Sequence, residues 1–477
     1  MTTAVIYDRI DKVSFCGVAP ISIKKRVATP VFCFKNIRRR RKGKTMGKIY
    51  SVAIIGCGSR GQNVYGKYMH ESKEQFKIIS LCDISEVMLG LAKDKFGVAS
   101  ENCFTDVEAF FAEKRADVLV IATQDRDHVA MCVKALELGY DVLLEKPISP
   151  IESELYQLLD AQKKYGGKVV VCHVLRYAPA FIKVKKIIES GDIGKIISID
   201  WTEQVAYWHQ AHSFVRGNWR NDQETSPMIM QKCCHDLDLL QYYADSKCDF
   251  VYSVGSTSFF NRENQPKDAA DRCQDCKYIN TCPYSAERVY VQQFVNIGSV
   301  TGWPFDVVDV TRPITVESLR KAYQSNQYGR CVFACDNNVV DNQNVIIQFE
   351  NNVKATLTMT GFTGYAGRKV TIHGTLGEIE MDENRDMLKV SIYGEEKDVY
   401  DVRKSEAYSI ADIVNTLGKD EFGHGGGDQL LVQDFYQALT GETDAETTLE
   451  KSIESHLMAL AAEKSRKSGK TVKLREN

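Results

Sequence analysis

The stretch AIIGCGSRG, Ala53 to Gly61, decides the fold. It closes an apolar run, IYSVAIIG, that predicts a buried strand, and it opens a segment from Arg60 to Glu71 that predicts a helix. In that context the three glycines have separate uses. Gly56 permits the tight turn, Gly58 lets backbone approach a pyrophosphate, and Gly61 lets helix and strand pack closely. The helix N-terminus then offers N–H donors to the anion. A three-glycine pattern alone is weak evidence, and a nucleotide-free turn would also fit. The next predicted strand, FKIISLCD, strengthens it by ending on Asp83. A carboxylate there can accept hydrogen bonds from ribose hydroxyls and would repel a 2′-phosphate, which favours NAD over NADP.

Working outward, ADVLVIAT (Ala116 to Thr123), a helix through DHVAMCVKALELG and the strand of DVLLEKP (Asp141 to Pro147) continue the alternation. The expected fold is α/β, a doubly wound parallel sheet of Rossmann type. Open sheets of this kind place their ligand crevice at the carboxyl ends of the strands, so Lys146 should stand at the nicotinamide end. There a lysine can hydrogen-bond a substrate hydroxyl and stabilise a developing oxyanion; a solvated strand-end lysine is the plainer alternative.

The chain has 477 residues with 61 Lys plus Arg against 63 Asp plus Glu, a net charge of −2, which argues against a nucleic-acid surface covering the whole protein. Its length suggests two or more domains. No apolar run approaches the roughly 18 residues of a membrane span. Fifteen cysteines in so long a chain give no dense disulfide framework, and a cytoplasmic location is expected. Residues 1–45 stand apart: they carry Arg38 to Arg41, Lys42 and Lys44 and show no clear period. They read as an over-extended gene start before Met46 or as a basic arm, dispensable in either case.

From Thr45 onward these motifs resemble the Gfo/Idh/MocA oxidoreductases. The resemblance is carried by the glycine turn, ATQDRDHV, the EKP motif, VCHVLRYAPAF (Val171 to Phe181), CCHDLDLL (Cys233 to Leu240) and IHGTLGEIEMD (Ile372 to Asp382). It implies a Rossmann domain over 46–170 and an α+β substrate domain over 171–477, with an open, mostly antiparallel sheet, an insertion around 261–330 and C-terminal helices. It also implies cofactor contacts from Ser59, Arg60, Thr123, His128 and Glu145 beside the three glycines, Asp83 and Lys146. The downstream segments KIISIDWTEQV, CDFVYSVGSTSFF, NVIIQFENN, VKATLTMTGF and RKVTIHG agree independently with such a sheet, being rich in β-branched and aromatic residues.

Many members of the family pair the lysine with Asp-x-x-x-His on one helix. Here His235 matches the histidine, but Gln231 occupies the aspartate position and cannot exchange a proton. Acid/base work then falls to His235 and Lys146, with Gln231 and Lys232 binding substrate. His173 and Arg176 face either the substrate or a domain interface. The segment AYWHQAHSFVRGNWRN offers Tyr207, His209, His212, Arg216 and Trp219, a mixture suited to a sugar, although Arg216 could simply pair with a carboxylate. In GHGGGD, Asp428 is expected to cap a helix and to bring His424 toward the pocket.

DRCQDCKYINTCPYS places Cys273, Cys276 and Cys282 in the insertion, a thiolate pattern for which structural zinc is the first expectation, with an iron–sulfur cluster and unmetallated thiols as alternatives. No fourth ligand is identifiable; Cys331 and Cys335 are candidates, but their i, i+4 spacing fits inward-facing residues of a strand just as well. The expected function is NAD-dependent oxidation or reduction at a secondary hydroxyl or ketone of a sugar, cyclitol or glycoside by a homo-oligomeric enzyme. A glycosidase working through transient oxidation by tightly held NAD is the alternative, and a non-catalytic nucleotide sensor a second one.

Overall fold

The computed structural model describes residues 47–299, 302–394, 402–415 and 424–475; the basic arm expected over 1–45 lies outside them. Six parallel strands form the first sheet: β1 (Tyr50–Ile55), β2 (Phe76–Cys82), β3 (Cys103–Phe104), β4 (Val118–Ile121), β5 (Asp141–Leu144) and β6 (Val169–Val171). Their order is β3-β2-β1-β4-β5-β6, so the chain reverses direction across the sheet between β1 and β4. That is where such sheets open a crevice for a dinucleotide. β4 and the β5 residues Val142 to Leu144 are buried throughout, as strands covered on both faces require.

The second sheet has nine strands in the order β14-β13-β12-β11-β7-β10-β9-β8-β15. They are β7 (Ile196–Ala206), β8 (Cys248–Ser256), β9 (Asn342–Phe349), β10 (Lys354–Thr363), β11 (Gly367–Gly374), β12 (Gly377–Asp382), β13 (Met387–Tyr393), β14 (Val402–Tyr408) and β15 (Val472–Lys473). Only β7 and β10 pair in parallel; the other neighbours are antiparallel. Alternation decides which face is covered. In β10, Ala355, Leu357 and Met359 point into a core shared with Trp201 of β7 and Leu237 and Leu240 of the helix Cys234–Ala244, whereas Lys354 and Thr356 face outward.

The two domains interlock because the chain returns. Leu431, Val432 and Phe435 of the helix Gly427–Thr440 join the core on one face of the first sheet, and Leu449, Ile453 and Leu457 of the helix Leu449–Ser468 join that on the other. Val171, in β6, donates its N–H to Thr447 at 2.9 Å.

Just past β6, Arg176 fastens the junction. Its Nε and Nη2 donate to the two carboxylate oxygens of Asp238, both at 2.7 Å, and Nη1 donates to the Glu446 carbonyl at 3.2 Å. Both partners are buried. Of the two roles weighed for Arg176 these contacts describe the interface one. Arg176→Ala should therefore cost about 3–5 kcal/mol in urea unfolding, because Asp238 is left charged and dry. Arg176→Met with Asp238→Leu should recover much of that; a loss below about 1 kcal/mol for Arg176→Ala would mean that the pair does not hold the junction.

Candidate active site

At the glycine turn the backbone has the conformations that Gly56 and Gly61 are expected to allow. Gly56 has φ of +88°, which a side chain rarely adopts. A Cβ on Gly61 would stand 1.9 Å from the Gly56 carbonyl oxygen, so only glycine lets the helical segment Ser59–Tyr65 approach β1. Nothing lies within 4 Å of where a Gly58 Cβ would be, and no side chain caps the helical N-terminus there. These are the features of a cradle for a pyrophosphate. Asp83 follows β2, its Oδ2 accepting the Cys57 N–H at 2.6 Å and its Oδ1 the Ser85 N–H at 2.8 Å. Each oxygen keeps a lone pair for a ribose hydroxyl. The residues present fit a dinucleotide.

Other residues expected at the cofactor build its surroundings. His128 faces two carbonyls, Nδ1 at 2.7 Å from Pro147 O and Nε2 at 3.2 Å from Thr123 O, and so ties the loop after β4 to that after β5. Arg60 donates from Nε to Glu145 Oε1 at 2.6 Å and from Nη2 to Asp428 Oδ1 at 2.7 Å. The Tyr65 hydroxyl donates to Glu145 at 2.6 Å. Burial pushes the Glu145 carboxyl up, but Arg60 and Lys146 outweigh it and hold the group below the ordinary carboxylate range. The other Glu145 oxygen accepts the Lys146 backbone N–H at 2.8 Å.

Lys146 thus leaves β5 on a braced backbone, and its Nζ donates to the Gln231 carbonyl at 3.3 Å. Around it converge His173, from the end of β6, and His235, from the helix of the second domain, with ring centroids 5.8 Å apart. Burial lowers the affinity of both rings for protons, and Lys146 adds to that, leaving His173 with a pKa of about 4 and His235 well below its ordinary value. Both are therefore neutral near pH 7. Neither nitrogen of His173 has a hydrogen-bond partner, nor has Nδ1 of His235. Among the described residues, His173, Cys234 and His235 form the one group whose possible ligand atoms lie within 4.8 Å of one another.

Several expectations need correcting. Gln231 and His235 do not share one helix: Met228–Gln231 ends, the chain turns at Lys232 and Cys233, and Cys234–Ala244 begins. The Gln231 Oε1 is buried without a partner. Lys232 turns to Glu203, at 3.1 Å, in a buried cluster with Arg368 and Asp236. Asp428 makes no cap, since Gly426 occupies that position; its carboxylate instead holds Arg60 and, at 2.9 Å, Nδ1 of His424. His424 does reach the pocket, 6.2 Å from the His235 ring.

His212 lies in the core of the insertion, 3.1 Å from the Tyr290 hydroxyl and stacked on Tyr328. Arg216 has no carboxylate partner. Zinc finds no support: no three of the cysteine sulfurs in the insertion come within 4.8 Å of one another. His456 went unnoticed in the sequence because nothing marks a histidine in the middle of a late helix. It accepts the Ile148 N–H at 2.8 Å, places Nδ1 2.8 Å from the Ser452 carbonyl, and backs the His173 ring at 5.6 Å.

A nucleotide cradle at the switch point of one domain, with a neutral histidine from the end of its last strand and a second brought by the other domain, defines a two-domain dinucleotide-dependent oxidoreductase. Residues 50–173 match the oxidoreductase family's NAD-binding Rossmann fold, and residues 185–474 match its C-terminal alpha/beta domain. The chain belongs to this family, Gfo/Idh/MocA, and is an NAD-dependent oxidoreductase. It is 25% identical over 395 residues to YteT of Bacillus subtilis, covering 81% of this chain and 88% of YteT. It is 23% identical over 260 residues to a 2,7-anhydro-N-acetylneuraminate hydratase of Mediterraneibacter gnavus, covering 54% of this chain and 63% of that one. In fold it resembles a levoglucosan dehydrogenase solved with NADH and levoglucosan, with a TM-score of 0.65 at 18% identity, covering 90% of this chain and 100% of the other. No helix among the described residues is long and apolar enough to cross a membrane.

Two outcomes follow from this geometry. Asp83→Ala removes both a ribose acceptor and the brace on Cys57, so calorimetry should show NAD binding weakened by about 1.5–3 kcal/mol and the preference over NADP narrowed. Equal affinity of the unaltered protein for both cofactors would contradict that role. The second concerns acid. Unfolded, each histidine takes a proton near pH 6.5, whereas in the fold His173 resists until about pH 4 and His456 until about pH 3. The unfolded chain therefore binds more protons in that window, so stability is full above it and falls as pH drops. The melting temperature should decline from about pH 6.5 downward, and His456→Gln should flatten the decline if it folds. A flat profile between about pH 6.5 and pH 5 in the unaltered protein would contradict the neutral buried rings.

Proposed function

We propose that the protein moves hydride between NAD and a secondary hydroxyl, or the corresponding ketone, of a sugar or cyclitol. The observation that carries this reading is the convergence of the Lys146 ammonium with the neutral rings of His235 and His173 beside the glycine cradle. NAD, held by Gly56, Gly58, Gly61 and Asp83, supplies the hydride acceptor. His235, neutral and next to a cation, takes the hydroxyl proton. Lys146 donates a hydrogen bond to the same oxygen and stabilises the charge that develops there. Gln231, with a buried carbonyl oxygen still free to accept, binds a neighbouring hydroxyl. His424, held by Asp428, borders the pocket with its ring 6.2 Å from that of His235. The levoglucosan dehydrogenase fold supports a carbohydrate substrate.

A second reading has a specific observation behind it. An amide stands at Gln231 where an acid would exchange protons, and one relative is named a hydratase, which catalyses a reaction with no net redox change. On this reading loss of a hydride to bound NAD would acidify a C–H beside the new ketone, the aglycone would leave as its alcohol with a proton from the site, water would add across the resulting double bond, and return of the hydride would restore the hydroxyl.

Lys146→Ala and His235→Ala should each lower turnover by a factor of ~10² or more while NAD affinity changes little. The panel for the assay is free sugars, cyclitols and aryl glycosides, followed by both NADH absorbance and product analysis. Net NADH supports the dehydrogenase, and aglycone release without NADH supports the second reading. Gln231→Asp should raise NADH output only in a dehydrogenase. If His235→Ala keeps near-normal turnover while His173→Ala abolishes it, the base is His173.

A further inference from the structure

The insertion holds a second site that the oxidoreductase chemistry does not use. A cavity of about 330 Å³ is lined by four thiols, Cys273, Cys276, Cys282 and Cys331, and by Arg216 and Phe259. Sequence offers Cys331 and Cys335 as candidates for a fourth ligand but gives a strand an equal claim on them. The structure puts Cys331 just beyond a single bridge between Arg272 and Arg330, in a turn, with its N–H donated to Asp271 at 2.8 Å. The bridge therefore delivers Cys331 to the wall that Cys273 begins. None of the four is in a disulfide.

Arg216 is the second, independent observation. It is 1% exposed, and its hydrogen bonds go to the carbonyls of Arg330 and Tyr284, each at 2.7 Å, and from Nη2 to the Cys273 sulfur at 3.5 Å. Nη1 has no partner. A guanidinium stays charged, and a buried charge without a counter-ion is costly. None of its partners is a carboxylate; the one side-chain atom it touches is the Cys273 sulfur. Two donors already converge on one of the four sulfurs, since Cys273 Sγ faces both Arg216 Nη2 and, at 3.4 Å, the Ala286 N–H.

Size selects the ligand. Tetrahedral zinc at about 2.3 Å from each sulfur would draw the sulfurs to about 3.8 Å of one another. No three of these sulfurs lie within 4.8 Å, and the cavity has room for several atoms. A cubane of iron and sulfide holds its cysteines further apart, at the corners of a larger core, and the Cys282-Pro283 step matches the Cys-Pro that ends one familiar cluster run.

We propose that Cys273, Cys276, Cys282 and Cys331 bind a [4Fe–4S] cluster in this cavity, with Arg216 as its buried counter-charge. Each cysteine loses its proton as its sulfur bonds to iron. The four thiolates around a doubly positive core leave a doubly negative centre, which Arg216 half neutralises. The cluster fastens the insertion to the segment Gln210–Arg216, which carries His212, so its place in the molecule is that of a staple. It is independent of the reading given for the NAD site.

The test uses the full chain, purified without oxygen and reconstituted with ferrous iron and sulfide. It should hold about four iron and about four acid-labile sulfide per chain, with a broad visible absorbance that dithionite bleaches. Cys282→Ser and Cys331→Ser should lose most of the iron, while Cys335→Ser, outside the cavity wall, should keep it. Reconstitution should also raise the melting temperature. If the two variants fail to fold, the iron and sulfide content of the unaltered protein decides alone. Binding of zinc without iron, absence of labile sulfide, or equal iron in Cys331→Ser and Cys335→Ser would overturn the proposal.

Discussion

The buried network of Glu145, Arg60 and Asp428 is the constraint on which the active-site arrangement depends. One guanidinium, leaving the glycine turn, takes a carboxylate from the end of β5 and another from a helix near the C-terminus. Both carboxylates are almost fully buried, so neither can relax into water if Arg60 is lost. Such pairs add little net stability over a well-packed apolar contact, but breaking one leaves an uncompensated charge and costs about 3–5 kcal/mol. Their value here is positional. Glu145 precedes Lys146 and receives its backbone N–H, while Asp428 holds His424. The same charge cluster therefore sets the nucleotide turn, the lysine and one wall of the histidine pocket.

The histidines owe their state to the way the chain closes on itself. His173 follows the last strand of the first sheet, His235 belongs to the second domain, and His456 to a helix that returns to the first. Packing all three together removes water from them, and Lys146 opposes their protonation further. An unprotonated ring next to the Lys146 side chain suits removal of a proton from a hydroxyl. Arg176 and Asp238, immediately behind, keep the junction from opening.

Much of this was legible in the residues. Gly56 and Gly61 have the turn and the close packing that their spacing predicts, Asp83 directly follows β2, and Lys146, His173 and His235 meet although they come from different domains. What was not legible depends on contacts across hundreds of residues. Nothing near Asp428 names Arg60 as its partner, so a helix cap was the natural local reading, and a glycine took that position instead. The break at Lys232 and Cys233 is hidden because each half is helical in pattern, and Lys232 is drawn away by Glu203, which local sequence does not reveal. Cys331 and Cys335 were both readable as candidates for a fourth thiol, but the lone bridge that puts Cys331 on the cavity wall has no periodicity to read. Arg216 gave the opposite lesson: a carboxylate was the ordinary expectation, and its absence says more than its presence would have.

The central claim is that the cradle at Gly58 and the pocket of Lys146 and His235 are two ends of one site. A crystal structure of the protein soaked with NAD tests it directly. The account predicts the pyrophosphate against the Gly56 to Gly61 turn, the adenosine ribose on Asp83, and the nicotinamide ring beside Lys146 with its reactive face toward His235. A dinucleotide bound with its nicotinamide away from Lys146, or no dinucleotide at the glycine turn, would contradict it.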